Sequence, residues 1–328
     1  MDFMRADSLP WLGVAQRQMR DALLAERLPH STLLLSAPGL GAEPLADWMA
    51  ALALCDSATE RPCGTCPSCA LLRSDSHPDF HVVRLEEDAK QIKVDQVRDL
   101  IGSLAFKSYR RGYKVGIIDG AESLNVNGAN AFLKTLEEPF EHTMLVLIAR
   151  PSHRLPATIA SRCLRLALRP PPVEEAIQWL RAHGTPAEDD WRAALTLAGG
   201  APLLALELRG SGLAALEHEM QDGMRALMGG GVDVTLVADH WVKSNLGLRL
   251  AWLENWVTRR ILAHLGEPDS KQSAERVRLP AALLKPKIRA LFELLDGARD
   301  MRRFASTGVN QQLALEALLL GGRTALTG

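Results

Sequence analysis

Four cysteines fall within 15 residues, at Cys55, Cys63, Cys66 and Cys69 in the stretch CDSATERPCGTCPSC. Thiolates at that spacing, with glycine and proline between them, can wrap one ion. Two Cys-x-x-Cys steps supply the tight turns that a tetrahedral zinc site with four sulfur ligands requires. With all four positions taken by protein, no place remains for water or substrate, so the metal would be structural, not catalytic. A set of buried free thiols is the alternative, and the polar, turn-rich stretch Cys63–Cys69 argues against it. A bacterial iron–sulfur run would need its fourth cysteine where Arg73 stands, with proline after it. His77 and His81 in HPDFH are rival ligands, but a surface loop and a strand start are the better account of them.

A second constellation could address phosphate. The stretch SAPGLGAE, Ser36 to Glu43, sits between the apolar run TLLLSA and the helical pattern EPLADWMAALALC. Strand, glycine-rich turn and helix N-terminus make the setting of a phosphate loop, G-x-x-x-x-G-K-[ST]. Gly39 and Gly41 are present, but Ser36 replaces the first glycine, Ala42 the lysine and Glu43 the magnesium-binding hydroxyl. Ala42 brings no charge to the β- and γ-phosphates, and Glu43 brings the wrong one. At about 4 Å and an effective dielectric of about 20, that repulsion is roughly 4 kcal/mol. Backbone amides at the helix start are expected not to offset it. The loop is therefore expected to be empty or weakly filled, and ATP is not expected to bind productively. Asp119 ends the apolar run in YKVGIIDGAESL, where a nucleotide-hydrolysing fold keeps its magnesium-binding aspartate. An active hydrolase carries glutamate next; here it is Gly120. Capping of the following helix by Asp119 and Glu122 is the plainer alternative.

The elements that must position these residues follow from periodicity. Short runs rich in Val, Ile and Leu predict strands at Ser31–Ala37, His81–Glu86, Lys114–Asp119, Met144–Ala149 and Cys163–Leu168. Continuous apolarity suits parallel strands covered on both faces. Helical patterns at Val14–Glu26, Pro44–Leu54, Val94–Phe106 and Asn125–Glu137 alternate with them, which predicts an α/β domain over residues 1–168 with right-handed crossovers. Pro170–Pro172 breaks the chain. A small helical unit follows over 169–208, a second break falls at Arg209–Gly212, and helices fill 209–328. Five of the seven tryptophans lie after residue 172, where they read as core anchors. The stripe of Leu313, Leu315, Leu318 and Leu319 reads as a buried or inter-chain face.

Composition excludes several classes. A 328-residue chain that is 47% apolar and 23% charged can fill two or three cores. A net charge of -1 shows no global attraction to nucleic acid or to anionic membranes. The N-terminal stretch has no secretory pattern, no run of 18 residues is free of charges, and five cysteines fit a reducing cytoplasm.

The stretches NGANAFLKTLEEP, from Asn127 to Pro139, TMLVLIA, and LPATIASRC, from Leu155 to Cys163, complete a pattern. Together with the cysteine cluster and the degenerate phosphate loop, they resemble the AAA+ subunits of the bacterial sliding-clamp loader of DNA polymerase III. The likeness covers the first 170 residues in order and spacing. It implies an α/β AAA+ domain with a P-loop-like parallel sheet and a four-cysteine zinc module at 55–69. A small helical lid and an all-α, oligomerising collar would follow. The triplet Ser161-Arg162-Cys163 matches the family's SRC motif, whose arginine enters a neighbouring subunit's ATP site. Departures at Ala42, Glu43 and Gly120 are those of a family member that does not hydrolyse ATP itself.

The implied partners are the motor subunits (gamma and tau) and the delta subunit. The sliding clamp and primed DNA would be reached through the complex. Two other readings stay open: an active ATPase motor subunit of the same loader, and a zinc-dependent DNA-binding scaffold outside replication. Read without the motif, Arg162 would be a surface salt bridge at a strand start. Lys107, Arg110 and Arg111 could meet a phosphate backbone. The pairs Arg259–Arg260 and Arg302–Arg303 read as solvated faces.

Overall fold

The computed structural model describes the whole chain except residues 87–88, 90, 111, 151–154, 185–190, 211–212, 266–285, 305–309 and 328. The chain forms two compact units, Met1–Pro171 and Pro172–Gly328. The first boundary therefore falls on the proline run, where a backbone without N–H donors can extend neither helix nor sheet.

The first unit is a five-stranded parallel sheet: β1 (Ser31–Leu35), β2 (Phe80–Val83), β3 (Lys114–Asp119), β4 (Thr143–Ala149) and β5 (Leu164–Ala167). Their order is β2-β3-β4-β1-β5, with Ser31 opposite Leu145 and Lys114 opposite Thr143. All seven residues of β4 are buried, as a central strand covered on both faces demands. Helices α1 (Gly13–Leu24), α2 (Ala42–Leu54), α3 (Pro67–Arg73), α4 (Val94–Ala105), α5 (Val126–Glu137) and α6 (Ala157–Ala160) fill the connections. Val97, Leu100 and Leu104 of α4 and Phe132 and Leu136 of α5 pack with Ile118, Leu145 and Leu147 of the sheet. Gly116 makes that approach possible: a Cβ there would come within 3.0 Å of Leu145 and 3.1 Å of Leu100 and Leu104. Strand β5 is a short, largely exposed edge that pairs only with β1 among the described strands.

Every predicted strand and helix of this unit is present, with ends moved by up to three residues. What sequence reading left as loop includes two 3₁₀ turns (Phe3–Ser8 and Pro10–Leu12), α3 and α6. These pieces have too few turns to show a period.

Among the described residues the regular elements of the second unit are all helices: α7 (Val173–His183), α8 (Trp191–Leu197), α9 (Pro202–Gly210), α10 (Leu213–Met228), α11 (Val234–Lys243), α12 (Leu246–Leu265), α13 (Pro286–Phe304) and α14 (Gln311–Thr327). Trp179, Trp191, Trp241 and Trp252 are buried, as an anchoring role predicts, but the fifth tryptophan of this unit, Trp256, is only half-buried. Leu315 and Leu319 of α14 are buried too, but Leu313 is 63% exposed. Two residues span about 200° of an α-helix, so Leu313 and Leu315 cannot share a face. Arg249, 4% exposed at its side chain, is held by Glu219 Oε1 at 2.8 Å, Glu219 Oε2 at 3.1 Å and the Ser244 carbonyl at 2.7 Å.

Candidate metal centre, phosphate-loop cleft and exposed arginine

The four cysteine sulfurs lie within 4.8 Å of one another. Cys55 Sγ is 3.5 Å from Cys63 Sγ and 3.8 Å from Cys66 Sγ. A tetrahedron of sulfurs about 2.3 Å from zinc has edges of about 3.8 Å, so this arrangement fits a metal ion. Backbone amides point at the sulfurs: Asp56 and Cys69 donate to Cys66, Ser57 and Cys63 to Cys55, and Cys66 to Cys63. Amide donors stabilise the thiolate form that binds metal. Those from Thr65 and Cys66 lower the Cys63 thiol to about 6, while burial raises Cys55 and Cys69. A dication would reverse the last two, because a coordinating thiol is deprotonated outright.

The stretch from Cys63 to Cys69 is not the exposed loop its polarity predicts. Cys66 caps α3, and Cys69 and Leu72 on that helix are fully buried. Neither histidine belongs to the four-cysteine group. Asp79 N–H donates to His77 Nδ1 at 3.1 Å, so the proton sits on Nε2, which faces Ser68 Oγ at 3.1 Å. Ser68 Oγ in turn donates to Asp56 Oδ1 at 3.2 Å. Burial holds His77 below the ordinary histidine range, in keeping with a neutral ring. His81 lies in β2, opposite Gly116.

The glycine loop folds as its sequence setting demands. Gly39 (φ 78°) and Gly41 (φ 90°) occupy the left-handed region, and Gly41 precedes the first turn of α2. Ser36, Ala42 and Glu43 line an open cleft of about 110 Å³ together with Asp119, Gly120, Glu122 and Arg150. Three carboxylates thus face one space. Burial raises the Asp119 carboxyl above its ordinary range, and Glu43 and Glu122 push the same way, against Arg84 and Arg150. The arginines neutralise the acids singly: Arg84 Nε is 3.6 Å from Asp119, and Arg150 Nε is 3.6 Å from Glu122. Helix α5 is capped by Asn125, which accepts from Gly128 N–H at 2.7 Å, so Asp119 and Glu122 are not its cap.

Arg162 lies between α6 and β5. Ser31 Oγ donates to its carbonyl at 2.8 Å and ties it to the start of β1. Its side chain is 35% exposed; Nη2 meets Glu137 Oε1 at 2.5 Å and Nη1 meets the Thr158 carbonyl at 2.9 Å. The salt bridge foreseen for an arginine at a strand start therefore exists, and it leaves the side chain reachable.

Among the basic residues, Lys107 is exposed, whereas Arg110 is bound to Asp56 at 2.9 Å; Arg111 lies outside the described residues. Arg260 covers the Trp256 ring at 4.1 Å, Arg302 pairs with Glu254 at 3.2 Å, and the side chains of Arg259 and Arg303 lie outside the described set. Sequence reasoning missed Glu137, Arg84 and Asp79. Glu137 sits inside a quoted motif, but only the fold shows what it touches.

Among the described residues no helix is long and apolar enough to cross a membrane. The family model described as DNA polymerase III, delta subunit, matches residues 13–172. The chain is 34% identical over 325 residues to the DNA polymerase III subunit delta' of Pseudomonas aeruginosa, covering 96% of this chain and 97% of that one. It is 32% identical over 158 residues to the subunit tau of Escherichia coli K12, covering 48% of this chain and 24% of that protein. Among solved structures, a DNA polymerase III gamma subunit-related protein from Thermotoga maritima superposes with a TM-score of 0.42 at 18% identity, over 94% of this chain and 99% of that one.

Proposed function

The chain belongs to the delta-prime family of DNA polymerase III clamp-loader subunits, and from that premise we propose that it is a non-hydrolysing stator that lends Arg162 to a neighbouring ATP site. One observation carries this reading. Glu43 shares the phosphate-loop cleft with Asp119 and Glu122, and Ala42 stands where a charged lysine would be needed. A triphosphate entering that space meets an uncharged Ala42 and the Glu43 carboxylate where an active site offers a cation and a magnesium-binding hydroxyl, while Asp119 and Glu122 are already engaged by Arg84 and Arg150.

Arg162, by contrast, offers a planar fork of donors at an exposed strand end, the geometry that phosphate oxygens accept. An arginine supplied in trans accelerates phosphoryl transfer by roughly 10³–10⁵. The chain's part in the chemistry is then to stabilise charge on another subunit's γ-phosphate. The partners under this reading are the gamma or tau motor subunits and the delta subunit, and the assembled loader places the sliding clamp on primed DNA in the cytoplasm.

Structural zinc at Cys55, Cys63, Cys66 and Cys69 belongs to the same reading. Bound there, it would hold α3 and the preceding turns against the end of α2. The division of the second unit into a lid of α7–α9 and a collar of α10–α14 also belongs here, supported by the packing of α7, α8 and α9 on one another.

The test is DNA-stimulated ATP hydrolysis by the assembled loader with Arg162→Ala in this chain. A large fall, with assembly intact, supports the finger; an unchanged rate removes it. Equilibrium binding of Mg·ATP to the isolated chain tests the stator half, and saturable micromolar binding would contradict it.

A further inference from the structure

Arg162 is held by more than one group, and the arrangement has a direction. Its guanidinium carries five N–H donors. Three contacts are made: Nη2 to Glu137 Oε1, Nη1 to the Thr158 carbonyl, and Nη1 to Ser161 Oγ at 3.4 Å. Donors remain on a side chain that is 35% exposed. Its backbone is fixed as well, through Ser31 to the Arg162 carbonyl and from the Arg162 amide to the Ile159 carbonyl at 3.0 Å. Of these partners, Glu137 alone is charged, and it comes from a different element, the last residue of α5. That helix packs on the core through Phe132 and Leu136, so Glu137 is set by the body of the unit and not by the segment carrying Arg162.

We propose that Glu137 is a positioning residue for Arg162: it fixes the guanidinium in one rotamer before a neighbour's triphosphate arrives, leaving the remaining N–H donors to the phosphate. An unheld arginine surrenders rotamer freedom when it engages. Here part of that ordering is complete in the free chain. Glu137 touches no substrate under this assignment and acts only through Arg162. The inference rests on the finger reading above.

The assembled loader separates the two. Four chains are compared for DNA-stimulated hydrolysis: wild type, Arg162→Ala, Glu137→Ala and the double variant. The expected result is a fall in kcat of roughly tenfold for Glu137→Ala, as for a misplaced catalytic group, with KM for ATP nearly unchanged. Glu137→Gln keeps an acceptor oxygen and should recover part of the loss. The double variant should be no slower than Arg162→Ala alone. If Arg162→Ala has no effect, the finger reading fails and takes this inference with it. If Arg162→Ala is slow while Glu137→Ala matches wild type, the finger stands and Glu137 is only a surface partner. A faster Glu137→Ala loader would make Glu137 a restraint and would also overturn the proposal. Assembly and thermal unfolding of each variant, measured in parallel, identify a loss that comes from folding.

Discussion

Ser68 Oγ stands 3.1 Å from His77 Nε2, and this contact links the cysteine cluster to the sheet. On one side Ser68 bonds Asp56, the residue after Cys55. On the other, His77 accepts from the amide of Asp79, which leads into β2. The cysteine cluster is thereby braced by neutral and charged groups outside it, the kind of outer partners that would orient the sulfurs of a metal site.

Metal removal should therefore act locally first. Structural zinc is worth roughly 10–16 kcal/mol in small peptides, far more than the turns around Cys63 supply by themselves. The purified chain is expected to carry one zinc per molecule by elemental analysis, and none in Cys66→Ser. Chelation should speed hydrogen exchange over residues 55–73 before it affects β3 and β4. Zinc-free protein with unchanged exchange in that segment would rule out the assignment.

Asp79 is a buried carboxylate whose oxygens accept from Ser108 Oγ at 3.0 Å, Tyr109 N at 2.8 Å and Arg110 N at 3.0 Å. It closes the connection from α4 into β3. Asp79→Ala leaves three donors without that acceptor and should cost about 3 kcal/mol, read as a lower thermal midpoint. Asp79→Asn retains one acceptor oxygen and should cost less. Equal midpoints for Asp79→Ala and wild type would show that water replaces the carboxylate without loss.

The contrast between α5 and Asp79 explains what could be read in advance. Val126–Glu137 and the strands around it carry a period, and a period survives in the sequence alone. The cysteines carry a spacing, and spacing survives too. Asp79 and Glu137 carry neither. Asp79 reaches Tyr109, 30 residues on, and Glu137 reaches Arg162, 25 residues on; such pairs exist only after β2, β3 and β5 are in place. The half-buried helix α3 escaped for a related reason, since its seven residues are too few to show a period.

Asp47 gives a pH dependence with a definite sign. Burial on α2 raises its carboxyl to about 6; Arg84 and the amino group of Met1 oppose this, and Asp75 and Asp119 add to it. A carboxyl raised in the folded state contributes most below its unfolded value of 3.8, and that contribution is lost as pH climbs through about 6. Asp47→Asn removes the charge, so at about pH 8 the variant should be more stable than wild type by roughly 1–2 kcal/mol after screening. At about pH 5 the gain should fall to about half. Urea midpoints at the two values decide it: a variant equal to or weaker than wild type at the higher pH would mean that the carboxylate is paired, not penalised.

The cleft itself can be asked to reverse its history. Gly39 and Gly41 already hold the left-handed conformations that a phosphate loop uses, so the backbone needs no rebuilding. What is missing is charge: Ala42 lacks the ammonium, and Glu43 adds a carboxylate to a space already shared by Asp119 and Glu122. Ala42→Lys with Glu43→Thr should therefore gain affinity for Mg·ATP. Removing a like charge is worth up to roughly 4 kcal/mol, but Glu43 is exposed, so a gain of about tenfold over Ala42→Lys alone is expected. Hydrolysis should stay absent in both variants, because Gly120 still offers no carboxylate to polarise water. Titration with a fluorescent ATP analogue, beside a turnover assay, reads both halves. Wild type binding as tightly as the double variant would show that Glu43 does not repel a triphosphate and that the missing ammonium is not what empties the loop. Turnover in the double variant would show that the residue after Asp119 is not what silences the site.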